Sequence, residues 1–288
     1  MDDIMGIKGI VEKVIDVLGL DVIGAPLQAK AESIKKISEA RTNNELEIKN
    51  HIINSPDLST TQKLQLNAMI GANYKKFLRQ MEVLGIAINN MDEKSSKENI
   101  DEDWLLDFFE KVGNISNDVV KQIWGKLLAG AASDKNVCSK TLLNALFMMS
   151  TEEVKDFSNL SRFCISEVGS GGNLYTINAY PILFFASHVN SYQLSGLSRL
   201  RLNKLASLGL IEVDYKKEFV FSKKEVRLIY NNKIIEIIGK DKIRIGNVIF
   251  TYDGYLLYQM TEKFYNNRIL DFDIEIWKKR GYEVIINK

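Results

Sequence analysis

The stretch LSRLRLNKLASLGLIEV, residues 197–213, constrains the fold of this chain more than any other. Leucine recurs through it at helical spacing, Gly209 then ends the helical pattern, and β-branched residues follow at once. A helix that leads through a glycine into a two-stranded hairpin is typical of the last helix of a winged helix-turn-helix. We therefore predict a winged-helix-like module over residues 191–288.

The residues around Gly209 supply the other parts of this module. IEVDYKKEFVFS, residues 211–222, predicts the hairpin with residues 215–218 as its turn, and TYDGYLLYQM, residues 251–260, predicts a closing helix. The leucine spacing predicts that the helix before Gly209 buries three side chains: Leu200, Leu205 and Leu208.

Basic side chains flank the leucines of this helix, at Arg199, Arg201 and Lys204. Basic residues on a recognition helix contribute most of the nonspecific affinity for DNA phosphates. The same residues also suit a solvated helix face, and the region lacks the Asn, Gln and Arg cluster that reads base edges. The three residues are candidate contacts with a nucleic acid or a partner, and protein interaction or plain scaffolding is favoured over DNA binding.

An insertion separates the predicted hairpin from the closing helix. In KEVRLIYNNKIIEIIGKDKIRIGNVIFT, residues 224–251, apolar and polar residues alternate in three short runs, separated by the turn signals NN and GKDK. This pattern predicts a three-stranded β-meander. The tail, residues 271–288, predicts a helix, a stop at Gly281 and a last strand that joins the same sheet.

The chain begins with an amphipathic pattern, DDIMGIKGIVEKVIDVLG at residues 2–19. Its apolar stripe consists of five residues: Ile4, Ile7, Val11, Val14 and Leu18. The stripe would suit a membrane anchor or a helix packed on its neighbour. Packing is favoured because the polar face is mixed in sign, whereas membrane-surface helices favour a basic face. We retain the stripe as a candidate contact with a membrane or a partner.

Two long helical patterns follow, one ending near Ser55 and one from about Thr60 to Met91, and they predict an antiparallel hairpin. Residues 1–92 are therefore predicted to form a long-helix N-terminal arm. Residues 93–103 are rich in serine and charge, which predicts a linker.

Residues 104–190 are predicted to form a helical middle domain. Trp104 and Trp124 lie within apolar stripes and are expected in its core. Ser116 is placed to cap the second of its helices, and STEE, residues 150–153, has the form of a capping box. The whole chain is thus predicted to be mainly α with a smaller β part.

The middle and C-terminal regions resemble an uncharacterised bacterial family with a tryptophan-containing WGKLLAG helix. The resemblance rests on DWLLDFFEKVGNISNDVVKQIWGKLLAG at 103–130, SKTLLNALFMMSTEEVKDF at 139–157, the 197–213 stretch and TYDGYLLYQM. In layout the chain is similar to the abortive-infection alpha proteins, which are implicated in phage defence. The resemblance implies no catalytic residues, and Gly125 and Gly130 of the WGKLLAG helix are better explained by close helix packing.

Composition excludes several classes of protein. With 288 residues, of which 45% are hydrophobic and 26% charged, the chain has the profile of a globular protein, and its length makes two domains the default expectation. It has no apolar run of the ~18 residues that span a membrane, and two aspartates follow Met1 where a secretory signal would carry lysines. We expect a cytoplasmic chain, with peripheral attachment at the inner membrane face kept open.

The sequence offers few residues for catalysis. Cys138 and Cys164 lie far apart and are expected to be reduced, and the two histidines are too few for a His/Cys zinc site. GSGG, residues 169–172, lacks the lysine and the strand-to-helix context of a phosphate loop. We therefore expect no enzyme, and no catalytic, cofactor or metal residues.

Two functions of different classes are consistent with these features. The first is a non-enzymatic bacterial defence or stress effector of the abortive-infection type, which acts through protein–protein association, self-assembly or membrane association. The alternative is a winged-helix DNA-binding regulator.

Overall fold

The structure, a computed structural model, describes residues 9–10, 12–14, 30–92, 94–169, 176–185 and 196–287. The chain forms two compact units, Met1–Leu143 and Asn144–Lys288. The described part of the first unit is helical, and the second combines helices with an antiparallel sheet. The fold is therefore mixed α+β, as the sequence predicts.

Among the described residues, five α-helices with defined bounds lie in the first unit or cross into the second: α1 Lys30–Asn54, α2 Thr60–Asn90, α3 Glu102–Val112, α4 Asp118–Ser133 and α5 Lys140–Met148. Residues 9–10 and 12–14 are also helical. Helices α1 and α2 form a hairpin. Thr42 Oγ1 lies 2.6 Å from the Tyr74 hydroxyl, and Lys63 Nζ donates to the Ile53 carbonyl at 2.8 Å. The first contact joins the middles of the two helices, and the second joins the end of α1 to the start of α2, so the helices are antiparallel, as predicted.

The core of the first unit forms where α4 crosses α2. Trp104 and Trp124 are buried, as predicted, and Phe108 lies between them with its ring centroid 5.2 Å from each. A Cβ on Gly125 would lie 2.3 Å from Ile86 Cγ2 of α2. Only glycine allows this approach, which confirms the packing role predicted for Gly125.

The N-cap of α4 differs from the sequence expectation. The cap is Asn117, not Ser116, because the Asn117 side-chain oxygen accepts from the Val119 amide at 2.9 Å and the Val120 amide at 3.2 Å.

The segment predicted as a linker lies against α4 over its described residues. The Ser96 amide donates to the Ala132 carbonyl at 2.8 Å, the Asn99 side-chain amide donates to the same carbonyl at 2.7 Å, and Ile100 is buried. The polar residues of this segment supply hydrogen bonds to the end of α4. The sequence predicts three separate domains, at residues 1–92, 104–190 and 191–288. That each of them folds independently stays a prediction.

The described residues of the second unit contain four further helices: α6 Thr151–Ser161, α7 Arg199–Ser207, α8 Tyr252–Met260 and α9 Asn267–Lys279. Its strands are β1 Cys164–Val168, β2 Thr176–Pro181, β3 Ile211–Val213, β4 Phe219–Val220, β5 Glu225–Tyr230, β6 Lys233–Ile238, β7 Arg244–Gly246, β8 Val248–Phe250 and β9 Glu283–Asn287. Five of them form one antiparallel sheet in the order β2-β1-β5-β6-β9.

This sheet confirms two predictions. The turn between β5 and β6 is Asn231–Asn232, with φ of 47° and 65°, as a two-residue hairpin requires. The tail forms α9 and then β9, which pairs with β6. Helix α9 covers one face of the sheet with the buried Trp277, whose indole donates to the Arg244 carbonyl at 2.9 Å.

The predicted hairpin over residues 211–222 is wrong, and so is the third strand of the meander. β3 pairs with β8, and β4 pairs with β7. The long insertion therefore lies between β3 and its partner strand β8 in the sequence. At this return Gly246 has φ +114°, and a Cβ there would lie 2.5 Å from the Leu183 carbonyl oxygen.

Helix α7 ends as predicted, but its buried face differs. Gly209 has φ +74°, which ends the helix, and Leu205 is buried together with Leu202. Leu200 is 68% exposed, and Leu208 is half-buried. Residues two apart lie about 200° apart around a helix, so the helix that buries Leu202 must expose Leu200.

Candidate functional site

Two of the three basic residues predicted on α7 bind carboxylates of α6. Arg201 Nη1 lies 2.8 Å from Asp156 Oδ1, and Asp156 is buried. Lys204 Nζ lies 3.3 Å from Glu153 Oε1. We call Arg201 and Lys204 the α7 flank. Their charges are matched within the second unit, so they hold α7 to α6.

Glu153 belongs to the capping box that the sequence predicts for α6. Its carboxylate accepts from the Ser150 amide at 2.7 Å. This hydrogen bonding, together with Lys204, lowers the pKa of Glu153, and the Ser150 side chain is the largest cause. The carboxylate that faces the α7 flank is thus held in its charged form.

The third basic residue, Arg199, lies elsewhere. Its guanidinium carbon lies 5.0 Å from the centre of the Tyr215 ring. The Tyr215 hydroxyl donates to Asn203 Oδ1 at 2.7 Å, and burial raises the pKa of Tyr215. The Tyr215 ring also stacks on Phe185, with centroids 5.3 Å apart and planes inclined by 20°. These contacts fix the ring beside a cleft.

We call this cleft, of about 450 Å³, the Tyr215 cleft. Eight residues line it: Phe185, Tyr215, Lys216, Lys217, Glu218, Val220, Arg244 and Asn247. Its rim is basic and its wall aromatic, a combination found in surfaces that bind nucleic acids.

The loop that carries the two lysines is held by Asp214. Asp214 Oδ1 accepts from the backbone amides of Lys216 at 2.8 Å and Lys217 at 3.0 Å. These hydrogen bonds lower the pKa of Asp214. The carboxylate thus binds the backbone of the loop, and the side chains of Lys216 and Lys217 are exposed.

Asn247 joins the loop to the rest of the cleft. The Asn247 side chain is buried, its amide nitrogen donates to the carbonyls of Asp214 and Lys217, each at 2.9 Å, and its oxygen accepts from the Phe185 amide at 2.9 Å. The Asn247 backbone amide donates to the Leu183 carbonyl at 2.7 Å. One side chain therefore sets the position of the lysine loop relative to the aromatic wall.

The carboxylate in the cleft is already paired. Glu218 accepts from both terminal nitrogens of Arg280, at 2.7 and 2.6 Å, and Arg244 Nη1 lies 3.7 Å away. Within the described part of the chain, Lys216 and Lys217 have no carboxylate at ion-pair distance. The cleft therefore presents an excess of positive charge.

A second cleft, of about 410 Å³, lies beside α8 and is lined by Tyr255, Tyr258 and Tyr265. Burial raises the pKa of Tyr258 above its usual range. Lys263 lies 3.2 Å from the centre of the Tyr258 ring and also donates to the Tyr258 carbonyl. Because this lysine is turned onto the protein, the tyrosine cleft has no exposed cation comparable to Lys216 or Lys217.

Of the predicted N-terminal stripe, Val14 is described and is buried, as is the neighbouring Ile10. Lys13 Nζ donates to the Ile100 carbonyl at 2.6 Å. The described part of this stripe thus packs within the first unit. Ile4, Ile7, Val11 and Leu18 lie outside the described residues, as does the GSGG sequence apart from Gly169.

A search of the described residues finds no group of three His, Cys, Asp or Glu side chains placed to hold a metal ion. The same residues contain no helix that is long and apolar enough to cross a membrane. Burial raises the pKa of both cysteine thiols, Cys164 more than Cys138.

Sequence reasoning did not identify Tyr215, Lys216, Lys217 or Asn247 as site residues. Lys216 and Lys217 were assigned to a hairpin turn, where charge is ordinary. One sequence feature points to the region of Asn247: the pair Gly246-Asn247 interrupts the alternating apolar pattern of residues 243–250. Such an interruption marks a close backbone approach, although it does not identify the neighbouring segment.

The fold and the cleft define a mixed α+β protein with a basic, aromatic surface in its C-terminal unit. The chain belongs to the family described as protein of unknown function DUF2806, whose model matches residues 73–271. Comparisons with curated proteins and with solved structures find no match.

Proposed function

We propose that this protein is a non-catalytic defence effector whose C-terminal unit binds the phosphate backbone of a nucleic acid at the Tyr215 cleft. The observation that carries the proposal is the pair Lys216 and Lys217, exposed on a fixed loop with no carboxylate at ion-pair distance among the described residues. Asp214, whose charge attracts both lysines, accepts hydrogen bonds from the backbone of the loop. Phosphate contacts by such cations supply most of the sequence-independent affinity for nucleic acids.

The geometry favours contact with the backbone over reading of bases. Tyr215 is engaged by Phe185 and Arg199, so the ring is better suited to positioning cations than to stacking on a base. Asn247 uses its side-chain amide and oxygen within the protein. We therefore expect binding that depends weakly on sequence and strongly on salt.

This proposal reverses the preference drawn from sequence, which favoured protein or membrane association over nucleic acid. The α7 flank offers less for nucleic acid, because Arg201 and Lys204 bind Asp156 and Glu153. Membrane attachment through the N-terminal stripe would require Val14 to leave a buried position. The defence role rests on the resemblance in layout to abortive-infection alpha proteins.

Binding of labelled duplex DNA and single-stranded RNA, followed by fluorescence anisotropy, tests the proposal. The double variant Lys216→Glu, Lys217→Glu should lose affinity by at least about tenfold, because two phosphate contacts become repulsive. The matched control Lys278→Glu, Lys279→Glu makes the same charge change on the exposed side of α9 and should stay within about twofold of wild type. Equal losses in the two variants, or no binding by wild type, would contradict the proposal.

The defence role requires a separate test in cells. Phage plating efficiency on bacteria that express wild type should be reduced, and the Lys216→Glu, Lys217→Glu variant should restore it if nucleic-acid binding serves defence. If the variant protects the bacteria as well as wild type does, defence does not depend on nucleic-acid binding at the Tyr215 cleft.

A further inference from the structure

The last strand of the sheet has one edge that is not covered by the described residues. β9 pairs with β6 over its full length, Glu283 to Asn287, and it stands at the end of the strand order. Its second edge therefore presents backbone amide and carbonyl groups in the geometry that accepts a further strand.

The two edges of the sheet differ in their protection. The β2 edge includes Pro181, which has no amide hydrogen, and the pairing of β2 with β1 is irregular between Glu167 and Val168. Proline, lysine, bulges and inward-pointing charges are the usual means by which natural sheets prevent pairing at an edge. The β9 sequence EVIIN contains no proline or lysine, and its register with β6 is regular.

Apolar side chains extend to this edge on both faces of the sheet. Ile285 lies opposite Glu236 of β6, on the face away from α9, and Ile286 lies opposite Ile235, on the face that α9 covers. Ile285 is 37% exposed and Ile286 is 46% exposed. A strand added at β9 would cover both residues.

We propose that β9 pairs antiparallel with β9 of a second copy of this chain, so that two sheets become one. A two-fold axis through Ile285 would place Ile285 opposite itself and Val284 opposite Ile286. It would also place Glu283 opposite Asn287, which can donate to the carboxylate. The strand is thus complementary to itself on both faces, with no like charges opposed, as a two-fold interface requires.

Cysteine cross-linking tests this register directly. Residues opposite each other in antiparallel strands have Cα atoms about 4.5–5.5 Å apart, which lies within the range of Cα distances that a disulfide bridges. In a Cys138→Ser background, Ile285→Cys should therefore form a covalent dimer under mild oxidation, whereas Ile286→Cys, which faces Val284, should not. Cross-linking of both variants to the same extent, or of neither, would overturn the proposed pairing.

Sedimentation velocity across a wide range of protein concentration tests self-association without a new thiol. Wild type should form dimers, and Ile285→Lys should weaken dimerisation by roughly an order of magnitude, because the two lysines would face each other. Leu200→Lys is the matched control, since Leu200 is an exposed leucine on α7. It should dimerise like wild type. A monomeric wild type, or equal weakening by both variants, would contradict the proposal, and neither result bears on the Tyr215 cleft.

Discussion

The α7 flank and the Tyr215 cleft are both basic in sequence, yet the structure gives their charges different surroundings. Arg201 and Lys204 face carboxylates on α6 at 2.8 and 3.3 Å. Lys216 and Lys217 instead lie on a loop whose nearby carboxylate, Asp214, accepts from backbone amides. The comparison shows that a basic run in sequence does not indicate a binding surface until the position of each carboxylate is known.

The largest expected effect tests how α7 is held in place. Leu205→Ala should lower the free energy of unfolding by about 2–5 kcal/mol, because it leaves a cavity in a buried position. The matched control Leu200→Ala, at a residue that is 68% exposed, should change it by less than about 0.5 kcal/mol. Urea denaturation measures both, and similar losses would mean that the register of α7 is different.

The next effect concerns the flank itself. Arg201→Ala should lower the free energy of unfolding by about 1–3 kcal/mol, because the buried Asp156 loses its charged partner. Lys204→Ala should cost less than about 1 kcal/mol, since half of the lysine side chain is exposed. Both variants should bind nucleic acid like wild type. A loss of nucleic-acid affinity without a loss of stability would indicate that the α7 flank, and not the Tyr215 cleft, is the binding surface.

A second buried carboxylate extends the comparison. Asp273 on α9 is buried, and its Oδ1 has no hydrogen-bond partner among the residues that the structure describes. Burial raises its pKa well above the ordinary value. Asp273→Asn should therefore raise the free energy of unfolding at neutral pH by about 1–3 kcal/mol, because asparagine neither takes up a proton nor buries a charge on folding.

The sign of the pH dependence follows from this raised pKa. The unfolded chain releases the Asp273 proton near pH 4, whereas the folded protein retains it to higher pH, so stability falls as pH rises between these values. Urea denaturation at several pH values should show a smaller decrease for Asp273→Asn than for wild type. An unchanged or steeper decrease would show that Asp273 has a polar partner.

The parts of the fold that the sequence predicted depend on local patterns. Gly209, the capping box of Ser150 and Glu153, and the Asn231–Asn232 turn each act over a few residues, and each has the predicted role. The pairing of β3 with β8 depends on residues 37 positions apart, as in the pair of Ile249 with Glu212. Local periodicity carries no information on such a partner, and for the same reason it did not identify the loop that Asn247 holds.

The salt dependence of nucleic-acid affinity tests the central claim most directly. Each phosphate contact with duplex DNA contributes about 0.9 to the slope of log affinity against log salt concentration. Lys216→Ala, Lys217→Ala should therefore reduce the slope by about 2, whereas the control Lys278→Ala, Lys279→Ala should leave it at the wild-type value. A slope that the cleft variant leaves unchanged, or a wild-type affinity that does not depend on salt, would contradict the account.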